Sequence, residues 1–196
     1  MSYILYLEDK KRLNDILITS KDIRSNKEEI LKIIPELIIC VECTQNHPAH
    51  IYKVFDHILQ TVNRVDFNLT LKLAALLHDI GKPYKKVIVN NTERFWGHGD
   101  TSAEIAKLVL TRLGYEEDLI NKLCILIKYH DHKTFPTLES IQNTISLIGN
   151  DLVPYLFKLQ TADLLSHSEK YYKPLLVKLN ESKKFYEEIY SLKHKI

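Results

Sequence analysis

The stretch Leu73-Ala74-Ala75-Leu76-Leu77-His78-Asp79-Ile80-Gly81-Lys82-Pro83 decides the fold. Its first half is apolar on every face, which marks a helix buried inside a helical protein rather than one lying on its surface. Asn68 suits the N-cap, and Gly81-Lys82-Pro83 ends the helix. His78 and Asp79 therefore fall at the end of an interior helix, with little water to solvate them. A lone His-Asp pair means little. This one has His57 upstream, beside the apolar positions Val54, Phe55, Ile58 and Val62. Far downstream it has Asp163, on the stripe of Leu156 and Leu159. A carboxylate on an apolar stripe must be paired, hydrogen-bonded or metal-bound.

Outward from that stretch, Ile51 to Asn63 predicts a helix, and Thr44-Gln45-Asn46-His47-Pro48 before it a loop. Lys27 to Val41 predicts a helix bent at Pro35, and weakly patterned residues 1–25 a short helix. Val87-Ile88-Val89 and Arg94-Phe95-Trp96 flank Asn90-Asn91, the pattern of a small β-hairpin over about residues 86–96. Asp100 or Thr101 caps a helix through Leu113, stopped by Gly114, and Glu116 to His130 follows. Thr137 caps a helix to Ile148, Asp151 opens the helix carrying Asp163, and Pro174 to Lys195 forms the last. There Leu175, Leu179, Ser182, Tyr186 and Ile189 share a face, as a core stripe or a dimer seam. The reading is an all-α bundle with one hairpin in a single domain. Residues 1–34 form an N-terminal helical extension, 35–167 the core and 168–196 a C-terminal helix.

At 196 residues the chain fits one domain with a substantial core, and five glycines and six prolines leave little room for a turn-rich β fold. A net charge of +2, with both signs intermixed, gives almost no whole-chain drive toward nucleic acid. Three cysteines without a framework fit a reducing compartment. Cys40 and Cys43 lack the second pair that a zinc site needs and read as small buried residues near a helix end. No signal-peptide pattern opens the chain, and no apolar run approaches the ~18 residues of a membrane span. A cytoplasmic enzyme without a membrane contact is the expectation.

His57, His78, Asp79 and Asp163 are the expected ligands of one divalent metal. His98, between Gly97 and Gly99, and His130, closing the stripe of Leu123 and Ile127, read singly as packed or surface histidines. With Asp79 as a bridging carboxylate they are candidates for a second metal. Oxygen and imidazole donors without thiolate suit Mn, Fe, Co, Ni or Mg. Lys82 is the cation best placed to meet a phosphate, or else compensates a helix dipole. Asp131 and His132 flank the site, as substrate-binding groups or as part of a solvated loop. His47 and His50 read as loop residues near its mouth, and His167 and His194 as surface. Tyr171-Tyr172 and the Lys-rich tail offer weak support for RNA contact, because the charges there alternate with Glu as on a solvated helix face.

These residues match the H…HD…D signature of the HD-domain metal-dependent phosphohydrolases. Ala74-Ala75-Leu76-Leu77-His78-Asp79-Ile80-Gly81-Lys82-Pro83 resembles the HD helix of bacterial CCA-adding tRNA nucleotidyltransferases. So do Arg94-Phe95-Trp96-Gly97-His98, Ser102-Ala103-Glu104-Ile105-Ala106 and His130-Asp131-His132-Lys133-Thr134-Phe135-Pro136. Gln45-Asn46-His47-Pro48 and His50-Ile51-Tyr52 resemble the same family's approach to the first ligand. The likeness covers roughly residues 35–167.

The resemblance implies phosphatase or 2′,3′-cyclic phosphodiesterase activity on nucleotides or nucleotide ends, with one or two divalent metal ions. It does not imply CCA addition, since residues 1–35 are too short for the nucleotidyltransferase head and hold no D-x-D. Two other readings stay open. One is a hydrolase of a signalling nucleotide or dinucleoside polyphosphate. The other is a binding module for nucleotide or RNA that keeps the fold without the chemistry.

Overall fold

The computed structural model describes residues 2–193, with side chains described for 7–190. His194 and the end of the expected last helix lie outside the described residues. The elements run α1 (Ser2–Thr19), α2 (Lys27–Ile33), α3 (Ile38–Val41), α4 (Val54–Arg64), α5 (Leu69–Leu77) and α6 (Lys82–Lys85). The hairpin β1 (Val87–Val89) and β2 (Thr92–Arg94) follows. Then come α7 (His98–Arg112), α8 (Glu117–Lys128), α9 (Leu138–Ile148), α10 (Val153–Leu165) and α11 (Glu169–Lys193).

α5 is the axis of the bundle. Every residue from Leu71 to Leu77 is buried, and α4, α8, α10 and α1 pack round it. Such encirclement is what an all-apolar helix requires. Asn68 caps it as expected, its Oδ1 accepting from the Leu71 N–H at 3.1 Å. Lys72 is buried as well, and its ammonium donates to the Val62 carbonyl at 2.7 Å. α7 and α8 form an antiparallel pair on one flank, and α11 covers α10 on another.

The hairpin pairs Val87 with Arg94, Ile88 with Glu93 and Val89 with Thr92. Asn90 (φ 49°) and Asn91 (φ 57°) both adopt the left-handed conformation that such a tight turn needs. The second strand is shifted from the expected Arg94–Trp96. Phe95 leaves the ladder to pack into the core, while Trp96 turns outward. Gly97, at φ +76°, then starts α7 at His98, two residues before the expected cap.

Other boundaries differ: α4 begins at Val54 rather than Ile51, and α5 ends at Leu77, with Lys82 and Pro83 opening α6 instead of closing α5. α1 runs to Thr19 and buries Leu13 and Leu17, so the weak pattern of residues 1–25 hides a long helix whose inner face is narrow. The expected helix Lys27–Val41 is broken at Ile34 by Pro35 into α2, a 3₁₀ turn and α3. α11 begins at Glu169 and carries Pro174 in its interior. Its stripe is core. Leu179, Ser182 and Tyr186 are buried, with Ser182 donating to the Thr134 carbonyl at 2.7 Å and Tyr186 to Asn150 Oδ1 at 3.0 Å. No described helix is long and apolar enough to cross a membrane.

Candidate metal centre

Five segments aim their polar side chains at one point. α4 supplies His57, the end of α5 His78 and Asp79, α10 Asp163, the first residue of α7 His98, and the turn after α8 His130 and Asp131. Asp79 stands at the centre. On its Oδ2 side are His57 Nε2 at 3.5 Å and His78 Nε2 at 3.3 Å. Asp163 Oδ1 completes that group, 2.8 Å from His57 Nε2 and 3.7 Å from His78 Nε2. On its Oδ1 side are His98 Nε2 at 3.1 Å and His130 Nε2 at 3.6 Å, themselves 3.1 Å apart. Asp131 closes this second group, 3.5 Å from His98 Nε2 and 3.7 Å from His130 Nε2. Donors that share an ion at about 2.1 Å stand about 3.0–3.4 Å apart. Most of these distances fall in or near that interval.

The site fits a divalent ion in two further respects. Neither oxygen of Asp79 nor Nε2 of His78 has a hydrogen-bond partner, although both residues are buried. Orphaned polar atoms of this kind cost free energy unless a ligand satisfies them. Moreover, His78, His98 and His130 each direct Nδ1 at the carbonyl three residues back, those of Ala75, Phe95 and Ile127, at 2.7–2.8 Å. An Nδ1–H held there leaves the Nε2 lone pair facing inward, the arrangement of a metal-binding imidazole. No thiolate joins them. Cys40 is buried against the Ile80 carbonyl, and burial raises its pKa. The donor set, imidazole and carboxylate, suits a divalent ion.

Charged groups within the cluster hold one another in their ionised forms. Burial opposes ionisation of Asp79, but His78 and Lys82 outweigh it and hold the carboxyl well below its ordinary range. Asp163 is likewise held low against burial by His57 and His78. Burial keeps His57 neutral. His78 is pushed up because the Asp79 and Asp163 carboxylates outweigh its burial.

A cavity of about 340 Å³ opens over the donors and is walled by Lys82, Arg94, Trp96, His47, His50 and His167. Lys82 is buried, with its ammonium 2.7 Å from Asp79 Oδ2 and donating to Gln45 Oε1 at 2.7 Å. The Asp79 contact is an ion pair off the hydrogen-bonding direction. Lys82 is the first residue of the short helix α6. Asp131 lies among the second group of donors rather than only beside the substrate path. His132 points away from the donors, bonding Thr144 Oγ1 at 3.1 Å, and lines a neighbouring cavity. His167, expected on the surface, is largely buried, its Nδ1 2.9 Å from the Asp163 carbonyl and its ring 4.6 Å from that of His50. Neither Arg94 nor Trp96 was singled out as a site residue, since a three-residue strand carries too little periodicity to give its side chains a direction. The sequence did offer one signal for Asp131: His130-Asp131 repeats the dipeptide His78-Asp79.

A histidine on one helix, a His-Asp pair closing the next and an aspartate on a late helix, gathered inside a helical bundle, define the class of the metal-dependent phosphohydrolase superfamily. The chain belongs to the HD domain family, whose model matches residues 46–168. Two curated proteins are similar to it. A CC-adding tRNA nucleotidyltransferase of Thermus thermophilus is 29% identical over 140 residues, 68% of this chain and 32% of that protein. An A-adding tRNA nucleotidyltransferase of Deinococcus radiodurans is 31% identical over 137 residues, 66% of this chain and 31% of that protein. The chain thus matches about a third of the length of these relatives.

Proposed function

We propose that this chain hydrolyses phosphate esters of nucleotides or nucleotide ends, as a phosphatase or 2′,3′-cyclic phosphodiesterase. One observation carries the reading. The buried Asp79 carboxylate offers one oxygen to each of two imidazole pairs, at the floor of an open cavity of about 340 Å³. His57, His78, Asp79 and Asp163 are assigned to one ion, and His98 and His130, with Asp79 shared and Asp131 nearby, to a second. A divalent ion there supplies Lewis-acid charge and a water of lowered pKa.

The remaining work falls to the chain. Lys82 presents its ammonium to the phosphoryl oxygens and stabilises the charge that gathers on them. Pairing with Asp79 keeps Lys82 protonated, since that attraction outweighs the burial that opposes it. Arg94, exposed at the rim, draws the anionic substrate in. The Nδ1 contacts of His78, His98 and His130 hold their rings in place, so little reorganisation remains for the transition state. Residues 35–167 form the catalytic unit, flanked by the N-terminal extension and the C-terminal helix.

The names of the relatives concern tRNA, which supports nucleotide ends as the substrate class. A binding module without chemistry would gain nothing from buried, unpartnered carboxylate oxygens. The test is turnover of p-nitrophenyl phosphate, nucleoside monophosphates and 2′,3′-cyclic nucleotides with Mn, Ni, Co, Fe or Mg, beside elemental analysis of the purified protein. Bound divalent metal and turnover that a chelator abolishes are expected. Turnover of none of these with any metal overturns the reading.

A further inference from the structure

The hairpin has one covered edge and one open edge. Along β2, the Glu93 N–H leaves the sheet and donates to the Asn46 carbonyl at 3.1 Å, and Asn46 Nδ2 donates to the Asn91 carbonyl at 3.3 Å. The loop before α4 therefore closes that side. Bonded and unbonded pairs alternate along an antiparallel ladder, and an N–H that points out of the sheet belongs to an unbonded pair. Ile88 is the partner of Glu93, so its own N–H and C=O point out from the other edge. Among the described residues, no group outside the hairpin bonds to the Ile88 backbone.

The side chains suit an edge that is paired. Val87, Ile88 and Val89 are 43%, 71% and 40% exposed, and no charge, proline or bulge interrupts them. Edge strands left in water usually carry one of these devices, because a bare apolar edge recruits further strands. A two-stranded ribbon is also marginal by itself and gains stability as strands are added. Among the described elements, β1 packs extensively on β2 alone.

We infer that β1 pairs with β1 of a second copy of this chain, antiparallel and across a two-fold axis at Ile88, in a four-stranded sheet ordered β2-β1-β1-β2. A two-fold contact uses the same patch on both copies, so the edge must complement itself. It does. Ile88 faces the partner's Ile88 and exchanges both backbone hydrogen bonds with it, while Val87 faces the partner's Val89. Lys86 faces the partner's Asn90 and Lys85 the partner's Asn91, so no like charges meet. Lys86 is moreover neutralised by Glu93 at 2.6 Å. A strand of another protein finds no charge between Val87 and Val89 to select it, whereas an identical strand satisfies every position. Pairing needs no chemistry at the metal centre. It reaches the site through Arg94, which lies opposite Val87 and walls the cavity, so a sheet of four strands steadies that rim.

A short strand covers far less than the ~800 Å² per partner of a stable interface, so the dimer is expected to form reversibly at micromolar concentrations. Sedimentation velocity of the full chain is expected to show the mean mass rising toward that of a dimer between about 10 and 500 μM. Ile88→Lys sets two ammonium groups face to face on the axis and is expected to keep the chain monomeric across that range. Its helical signal by circular dichroism is expected to stay, since the Ile88 side chain lies mostly in water. Leu108→Lys, at an equally exposed position on α7, keeps the dimer. Cysteine cross-linking reads the register. With diamide as the oxidant, Ile88→Cys is expected to form a disulfide to its own counterpart at least ~10-fold faster than Leu108→Cys. Bonded pairs stand about 5.5 Å apart between Cα atoms, inside the disulfide window. A wild type that stays monomeric throughout the range overturns the pairing. So does a dimer that Ile88→Lys does not weaken, or cross-linking no faster at position 88 than at 108.

Discussion

The two sides of Asp79 are built differently. Toward Oδ2, His57, His78 and Asp163 come from within or at the end of α4, α5 and α10, three helices that pack on one another through the core. Toward Oδ1, His98 opens α7 and His130 follows α8, and their third companion, Asp131, leaves 67% of its side chain in solvent. One half is set by core packing, the other by two junctions. A half fixed by packing loses little entropy on binding an ion, whereas a half fixed by junctions must be ordered. The first half is therefore expected to hold its ion tightly and the second to exchange it.

Asp79 belongs to both halves, so its loss erases the contrast. Asp79→Ala is expected to remove all bound metal and to lower turnover by at least ~10³-fold, since the Lewis-acid charge goes with it. Circular dichroism is expected to keep its helical signal, because α5 is held by apolar contacts upstream of Asp79. Metal retained at wild-type stoichiometry in this variant breaks the comparison at its root.

Single-half variants come next. His57→Ala is expected to abolish tight binding and cut turnover by ~10²-fold or more, while His98→Ala leaves one tight equivalent and loses the weaker one. Elemental analysis after gel filtration reads the difference directly. Equal losses from the two variants show that the halves bind as one unit.

The same contrast explains what could be read from the sequence. His57, His78 and Asp163 sit on helices whose apolar periodicity gives a direction to every side chain, so their convergence was legible before any coordinates. The axis helix and its Asn68 cap were legible for the same reason. His98 and His130 were only half legible, because each stands where periodicity stops. Asp131 was placed beside the site but not among its donors, and His167, Arg94 and Trp96 were not assigned to it, since the direction of a residue at a strand end or in a turn depends on tertiary contacts. The α7 start shows this well. It is set by Gly97 at φ +76° and by the Phe95 carbonyl that meets His98 Nδ1, not by a capping side chain.

Gly99 offers a way to disturb one half alone. A Cβ there would stand 2.5 Å from the Lys128 carbonyl oxygen, where α7 touches the end of α8. Backbone must shift to admit it, which separates His98 from His130. Gly99→Ala is expected to destabilise the fold by about 1–3 kcal/mol and to weaken the exchangeable ion roughly tenfold, with the tight equivalent intact. Thermal melts and metal titration check the two effects separately.

pH sharpens the picture further. In the metal-free protein, His78 is held protonated above the ordinary range because the Asp79 and Asp163 carboxylates outweigh its burial. His130 is raised too, with Asp131 and Asp79 outweighing burial. His57 is lowered by burial and stays neutral, so it releases no net proton. A raised pKa means a bound proton near neutrality, and an ion must expel it to reach Nε2. Affinity in each half therefore rises with pH and falls as pH drops, by up to about tenfold per unit for each proton released. Calorimetry in buffers of different ionisation enthalpy counts those protons. Uptake with no proton release breaks the charge assignment.

Asp131 should show the smallest effect. Its carboxylate lies 3.5 Å from His98 Nε2 and 3.7 Å from His130 Nε2, near enough to attract an ion held there. Its exposure means that water and salt screen that attraction, and an exposed charge acts weakly beside a buried one. Asp131→Asn keeps shape and removes charge. It is expected to weaken the second ion only a few-fold, with an effect that shrinks as salt is added, because a through-solvent attraction is screened and a coordinate bond is not. A loss as large as that of His98→Ala, unchanged by salt, makes Asp131 a direct donor, and the two halves of the site then become alike in donor number and differ only in burial.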